Sequence, residues 1–211
     1  LSMQGSGIAN VDIASTVIKL QDDGFYTLSI GATDMGTGCD TILAQMAAEC
    51  LDCDVDNIIT QSVDTDASPY DTGSYASATT YVTGMAVVKT CEELKKQILR
   101  EAAVLLDVEE EHITFDGSML RAVEDDKEIT LAEFANRCFA GGKGACLIAS
   151  ASHCSPTSPP PFMAGIAEVD VDKLTGEITL VDYAAVVDCG TVINPNLARI
   201  QTEGGIAQGI G

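Results

Sequence analysis

Short apolar runs broken by turn signals open the chain. Thr16–Leu20 and Phe25–Ile30 read as two strands, and Gln21-Asp22-Asp23-Gly24 between them is a hairpin turn signal. From Thr41 to Leu51 the pattern changes: Ile42, Leu43, Met46, Ala47, Cys50 and Leu51 fall at helical spacing. Asn57–Val63 reads as a further strand, the stretch DTDASPYDTGSYAS as a turn-rich loop, and Ala78–Leu106 as a long helix carrying Val82, Met85, Ala86, Val88, Leu94 and Ile98. The order of this first part is ββαβα.

From His112 onward, Ile113–Phe115 and Met119–Val123 flank Asp116-Gly117-Ser118 as a second hairpin. Thr130 N-caps a helix over Leu131–Phe139. Ala145–Ala151 is a strand candidate. SHCSPTSPPPF is predicted to be irregular, because prolines remove donors and fix φ. Met163–Val171 and Glu177–Val187 then form a hairpin around DKLTGE, and a helix begins at Pro195 and ends in GGIAQGIG. Both halves alternate strand pairs with helices. The expectation is an α/β (α+β) fold of mixed sheets with helices on one face, in duplicated lobes at 1–107 and 108–211, without a residue-level repeat.

The 211 residues suffice for one substantial core or two small ones. With 46% hydrophobic residues, 5% aromatics and no tryptophan, that core must be Ala, Val, Ile, Leu and Met, which suits helices on a sheet. No apolar run approaches the roughly 20 residues of a membrane span, and no basic segment followed by an apolar stretch marks a signal peptide. A start at Leu1-Ser2-Met3 reads as a fragment or a processed piece.

Charge narrows the partners. There are 32 acidic and 11 basic residues, a formal net charge of −21, with acids concentrated at Glu49–Asp56, Asp107–Glu111 and Glu124–Glu128. These runs read as solvated faces. They argue against nucleic acid or an anionic membrane, since no basic patch exists to release counterions. The eight cysteines, without a secretion signal, read as reduced thiols of a cytoplasmic protein. Cys50-Leu-Asp-Cys53 lies at the end of a helical pattern, where the dipole disfavours a thiolate. No second pair completes a zinc site, and no cysteine run suits an iron–sulfur cluster.

Three stretches carry candidate chemistry. Met35-Gly36-Thr37-Gly38-Cys39-Asp40-Thr41 lies between a strand and a helix, where free backbone N–H groups and the helix dipole make an anion site without any lysine. The plain alternative is a tight strand-to-helix turn. The third glycine of GxGxxG is absent, so a dinucleotide fingerprint is not supported. Gly73-Ser74-Tyr75-Ala76-Ser77-Ala78-Thr79-Thr80-Tyr81 opens a second helix with several hydroxyls; its plain alternative is an over-provided cap. The glycines of the run from Gln201 to Gly211 each weaken a helix by about 1 kcal/mol against alanine, so close packing on a neighbour or a ligand must compensate. Gly141-Gly-Lys143-Gly lacks the spacing of a phosphate-binding loop. His112 and His153 belong to no nucleophile motif.

Taken together, GATDMGTGCDTILAQMAAECL, SPYDTGSYASATTYVTGMAV, AEVDVDKLTGEITLVDYAAVVDCGTVINP and QTEGGIAQGIG make the chain resemble the C-terminal part of the molybdopterin-binding subunit of the xanthine dehydrogenase/aldehyde oxidase family of molybdenum hydroxylases. The resemblance implies that Gly36, Thr37 and Gly38 form the family's pterin-contacting loop, with Thr37 where the family carries glutamine. It also implies that Ala76, Ser77 and Thr79 line the metal and the pterin phosphate, and that Gln201 hydrogen-bonds the pterin. The cofactor would be molybdopterin with molybdenum, as such or as the cytosine dinucleotide. The intact enzyme would hydroxylate an aldehyde or an N-heterocycle of purine or nicotinate type with oxygen from water. Iron–sulfur clusters and FAD would sit on partner subunits. The family's catalytic glutamate would lie beyond Gly211 and the other half of the molybdenum domain is missing, so this chain alone is expected to be inactive. The rival reading is a non-catalytic cofactor-binding scaffold.

Overall fold

The structure is a computed structural model that describes residues 1–61, 63–123, 126–140 and 144–211. Gly141–Lys143, Glu124 and Asp125 of an acidic run, and Ser62 of the strand expected over Asn57–Val63, lie outside the described residues. The strands are β1 (Ser2–Met3), β2 (Ile13–Leu20), β3 (Tyr26–Ile30), β4 (Ile58–Gln61), β5 (Ile113–Phe115), β6 (Met119–Ala122), β7 (Lys127–Thr130), β8 (Ile148–Cys154), β9 (Phe162–Val171) and β10 (Ile178–Asp188). The α-helices are α1 (Cys39–Leu51), α2 (Thr79–Leu106), α3 (Leu131–Ala140) and α4 (Pro195–Ile210). The fold is mixed α/β, as the sequence predicts.

The backbone gathers into two units, Gly7–Thr157 and a smaller one made of Leu1–Ser6 with Ser158–Gly211. In the larger unit a four-stranded sheet has the order β4-β3-β2-β8. β2 pairs antiparallel with β3 on one side and with β8 on the other, while β4 runs parallel to β3. The segment β3–α1–β4 is therefore a crossover unit, and the glycine loop leaves the carboxyl end of its first strand. In open α/β sheets that end is where ligands bind.

Alternate residues of β2, namely Ala14, Thr16, Ile18 and Leu20, are buried. This face meets α2, whose Val87, Cys91, Leu94, Ile98 and Ala102 are fully buried at helical spacing. Within that apolar contact the hydroxyls of Thr16 and Thr90 bond each other at 2.6 Å, and Thr90 Oγ1 also donates to the Ala86 carbonyl at 2.8 Å. A buried polar pair is tolerated because each member satisfies the other.

α1 and α2 lie side by side. A Cβ added at Gly84 would sit 2.6 Å from Met46 Cε and 3.9 Å from Leu43 Cδ2, so the helices touch there. Farther along both, Lys95 Nζ donates to the Cys50 carbonyl at 3.0 Å and pairs with Asp52 at 2.8 Å. Both contacts advance in the same chain direction, so the two helices run parallel.

The sheet β5-β6-β7 and α3 complete this unit. Ile113, Leu120, Ile129 and Phe134 join the same core as Ile18 and Leu28. The boundary expected between residues 107 and 108 thus falls inside the larger unit: the chain only turns there, with Asp107 in a left-handed conformation (φ 57°) at the end of α2. β7 escapes the sequence reading because its one fully buried residue, Ile129, stands among charged neighbours. β8 starts later than expected and runs through Ser152, His153 and Cys154, because the whole of Ile13–Lys19 pairs with it. Thr130 caps α3 as predicted, accepting from the Glu133 N–H at 3.1 Å.

The smaller unit holds the hairpin β9–β10 with β1 along its edge. Asp172 closes its turn by accepting from the Leu174 N–H at 2.8 Å. Asn194 caps α4, accepting from the Leu197 N–H at 3.1 Å, with Pro195 at the first helical position. None of its residues is fully buried. Among the described residues no helix is long and apolar enough to cross a membrane.

Candidate functional site

The loop from Gly31 to Gly38 joins β3 to α1. Gly38 occupies the cap position of α1 with φ 77°, so the helix has no capping side chain of its own. Asp34 supplies the missing oxygens from within the loop. Its Oδ1 accepts from the N–H of Gly36 at 2.9 Å and of Gly38 at 3.1 Å, and its Oδ2 from the N–H of Asp40 at 3.4 Å. These backbone bonds, that of Gly36 foremost, hold the Asp34 carboxyl below the usual carboxylate range. Three of the N–H groups that the sequence offers to an outside anion, those of Gly36, Gly38 and Asp40, are thus engaged by the chain's own carboxylate.

The surroundings of this loop are acidic as well. Donor atoms of Asp34, Cys39 and Asp40 lie within 4.8 Å of one another. Burial, and then the two neighbouring carboxylates, push the Cys39 thiol up to about 11, so it is protonated at neutral pH. Burial and the Asp34 charge raise the Asp40 carboxyl. The tip of the loop is open: nothing lies within 4 Å of a Cβ built on Gly36, whose φ of +101° still requires glycine.

The second loop enters α2. Asp71 holds its start, with Oδ1 accepting from the Gly73 N–H and Oδ2 from the Thr83 hydroxyl, each at 2.8 Å. The Thr79 hydroxyl donates to Ser74 Oγ at 2.9 Å. Ala76 and Ser77 are both left-handed, at φ 51° and 55°. Each such residue stores about 1 kcal/mol or more, which persists only where neighbours impose it. Here the Gly7 N–H donates to the Ala76 carbonyl at 2.7 Å, and the next residue, Ala78, is buried with Ala14, Val82 and Ala86. Ala76 and Thr79 are half-buried and Ser77 is exposed, at the start of a 28-residue helix with no acidic residue in its first turn.

Because α1 and α2 run parallel and cross at Met46 and Gly84, both N-termini open at the same end of the unit. At 1.5 Å per residue, the start of α1 lies roughly 10 Å and that of α2 roughly 8 Å beyond that crossing. The loops also share an anchor: a Cβ on Gly31 would lie 2.2 Å from the Pro69 carbonyl oxygen and 2.7 Å from Asp71 Cβ. Gly36, Thr37 and Gly38 thus sit on one loop, and Ala76, Ser77 and Thr79 on another loop of the same end. Gln201 belongs to the smaller unit, exposed on α4.

Sequence reasoning overlooks Asp34 and Asp71, although an aspartate two residues ahead of a glycine is a readable turn signal. The cysteine pair gives no nucleophile. Burial raises both Cys50 and Cys53, the latter to about 11. His153, on β8, meets Lys89 of α2, its Nδ1 at 3.0 Å from Lys89 Nζ, and burial lowers its pKa.

A model of the molybdopterin cofactor-binding domain family matches residues 1–211. "Probable hypoxanthine oxidase XdhD" of Escherichia coli (strain K12) is 36% identical over 211 residues, 99% of this chain and 22% of that protein. The "Xanthine dehydrogenase molybdenum-binding subunit" of Escherichia coli O157:H7 is 32% identical over 205 residues, 95% of this chain and 27% of that one. The solved structure of the CO dehydrogenase from Oligotropha carboxidovorans is similar at 27% identity and a TM-score of 0.82, over 97% of this chain and 27% of that chain. This chain therefore spans about a quarter of the length of these relatives. A match along its whole length, on a fold shared with a solved CO dehydrogenase, makes this chain a member of the molybdopterin cofactor-binding domain family.

Proposed function

We propose that this chain is the cofactor-holding portion of the large subunit of a molybdenum hydroxylase, acting on an N-heterocycle of purine type or an aldehyde with oxygen drawn from water. The observation that carries the reading is the pair of parallel helices whose N-termini open at one end of the larger unit. One bears Gly36, Thr37 and Gly38 at its start and the other Ala76, Ser77 and Thr79. The purine preference follows the names of the relatives that are 36% and 32% identical.

The donor set suits molybdopterin. The start of α2 carries the Ser77 hydroxyl and the first helical N–H groups next to the small side chain of Ala76, with no acidic residue in its first turn, a set that fits an anionic group. At the start of α1 the Gly36, Gly38 and Asp40 N–H groups are taken by Asp34 and the Thr37 hydroxyl bonds the Cys39 thiol, so the loop offers a neutral polar surface rather than an anion site. When bound, molybdopterin with its molybdenum would supply the two-electron oxidation chemistry. The chain's residues bind and orient it. Gln201 enters the assignment through the family resemblance. The cofactor takes the mononucleotide or the cytosine dinucleotide form, and electrons leave through iron–sulfur and FAD partner subunits in the cytoplasm.

The test is metal and pterin analysis of the native complex that carries this chain. We expect close to one molybdenum and one pterin per large subunit, with Ser77→Leu reducing both severalfold. Hydroxylation of hypoxanthine should be lost in proportion. A native complex that holds neither molybdenum nor pterin would overturn the reading in favour of a scaffold.

A further inference from the structure

We propose that Asp34 is the positioning residue of the Gly36–Gly38 loop: it ties down the loop's backbone so that Thr37, and not a ring of free N–H groups, is what the loop presents to the cofactor. The inference rests on the reading of this loop as cofactor-facing. A helix start whose cap is glycine leaves its first N–H groups without a side-chain acceptor. Asp34 lies four residues ahead of that cap, where a residue counted along the chain would not be read as a cap. Its two oxygens nevertheless collect the N–H groups of Gly36, Gly38 and Asp40. Thr37 is the residue enclosed between the two N–H groups that share Oδ1, and its hydroxyl bonds the Cys39 thiol, so the flanking bonds and that contact together set its orientation.

The same bonds set the chemistry of what can approach. A carboxylate already occupies the anion position at the start of α1, and the Asp40 carboxylate and protonated Cys39 thiol stand within 4.8 Å of it. A phosphate brought to this loop would meet like charge, and the stretch Gly31–Asp40 holds no lysine or arginine to offset it. The loop accordingly faces an uncharged, hydrogen-bonding part of its ligand, which for a pterin is the ring system. The phosphate is left to the hydroxyl-rich start of α2.

The test uses the large subunit that carries this chain, in its native complex, with Asp34→Ala, Asp34→Asn and Gly38→Val. Two quantities are read: pterin per subunit, and amide hydrogen exchange across residues 34–40. Asp34→Ala should speed exchange at the Gly36, Gly38 and Asp40 amides at least tenfold and cut pterin occupancy severalfold. Asp34→Asn keeps an oxygen for Gly36 and Gly38, so it should restore protection at those two amides and most of the pterin while Asp40 stays unprotected. If Asp34→Ala leaves exchange and pterin unchanged while Gly38→Val loses pterin, the role of Asp34 is overturned and the loop assignment stands. Loss of pterin in Asp34→Ala without rescue by Asp34→Asn also overturns it. Full pterin in both Asp34→Ala and Gly38→Val instead removes the cofactor-loop reading beneath it.

Discussion

Gly31 is the tightest junction between the two loops, and Gly31→Ala tests whether they form one site. The new methyl would meet the Pro69 carbonyl oxygen at 2.2 Å, Asp71 Cβ at 2.7 Å and the Asp71 backbone nitrogen at 3.0 Å. An ordinary carbon–oxygen contact begins near 3.4 Å, so backbone must move by about 1.2 Å, and no side-chain rotation relieves a clash with a carbonyl. Overpacking of this kind costs typically about 1–3 kcal/mol. A unit of this size loses about 2–4 °C of melting temperature per kcal/mol, so a drop of roughly 2–12 °C is expected. The displaced segment includes Asp71, which anchors Gly73 and Thr83, so pterin occupancy should fall along with stability. Gly144→Ala is the control: its φ is +58° and nothing lies within 4 Å, so it should cost only the left-handed preference, about 1 kcal/mol. The assay is thermal unfolding followed by circular dichroism, with pterin fluorescence on the same samples. A Gly31→Ala protein that melts within a degree or so of the parent, or no lower than Gly144→Ala, would refute the packing argument. One that melts lower but keeps its pterin would refute the link between the loops.

Two further outcomes follow from buried and exposed polar groups. Thr90→Val should destabilise by about 1–3 kcal/mol by stranding the Thr16 hydroxyl, whereas Thr16→Val with Thr90→Val should restore most of that loss; denaturant titration of the four proteins checks it, and simple addition of the single effects would contradict the pairing. Asp116 is held below the usual carboxylate range by Arg121 first, then by the Met119 and Ser118 N–H groups. A depressed carboxyl contributes stability that is present above its ordinary value and is lost as pH falls through its lowered one. The Ser118 and Met119 amides should therefore stay protected below the ordinary carboxylate range and open only in stronger acid, and Asp116→Asn should abolish that pH dependence.

The acidic composition has a second use besides solvation. Asp23, Asp34, Asp64, Asp71, Asp116, Asp172 and Asp188 each accept a bond from the backbone N–H two residues on. Read only as a solvated charge, such aspartates hide the fact that they shape the loops, including both loops of the candidate site.

What the sequence determines by itself is local. Period and turn chemistry place the β2–β3 hairpin, α1, α2, the long β9–β10 hairpin and the start of α4 at Pro195, because each depends on neighbours a few residues away. The four quoted motifs likewise mark the family without any knowledge of packing. The division of the chain is different: residues beyond Asp107 join the first core because Ile113, Leu120 and Phe134 find partners far away in sequence, and no periodicity records that. The same holds for the site. Hydrophobic spacing shows that α1 and α2 each have a buried face, but their parallel course shows only in the contacts of Gly84 with Met46 and of Lys95 with Cys50 and Asp52, and Gly31 against Asp71 ties their entry loops together. Register between elements comes from the fit of surfaces distant in the chain, so tertiary structure alone decides which helix ends share a side.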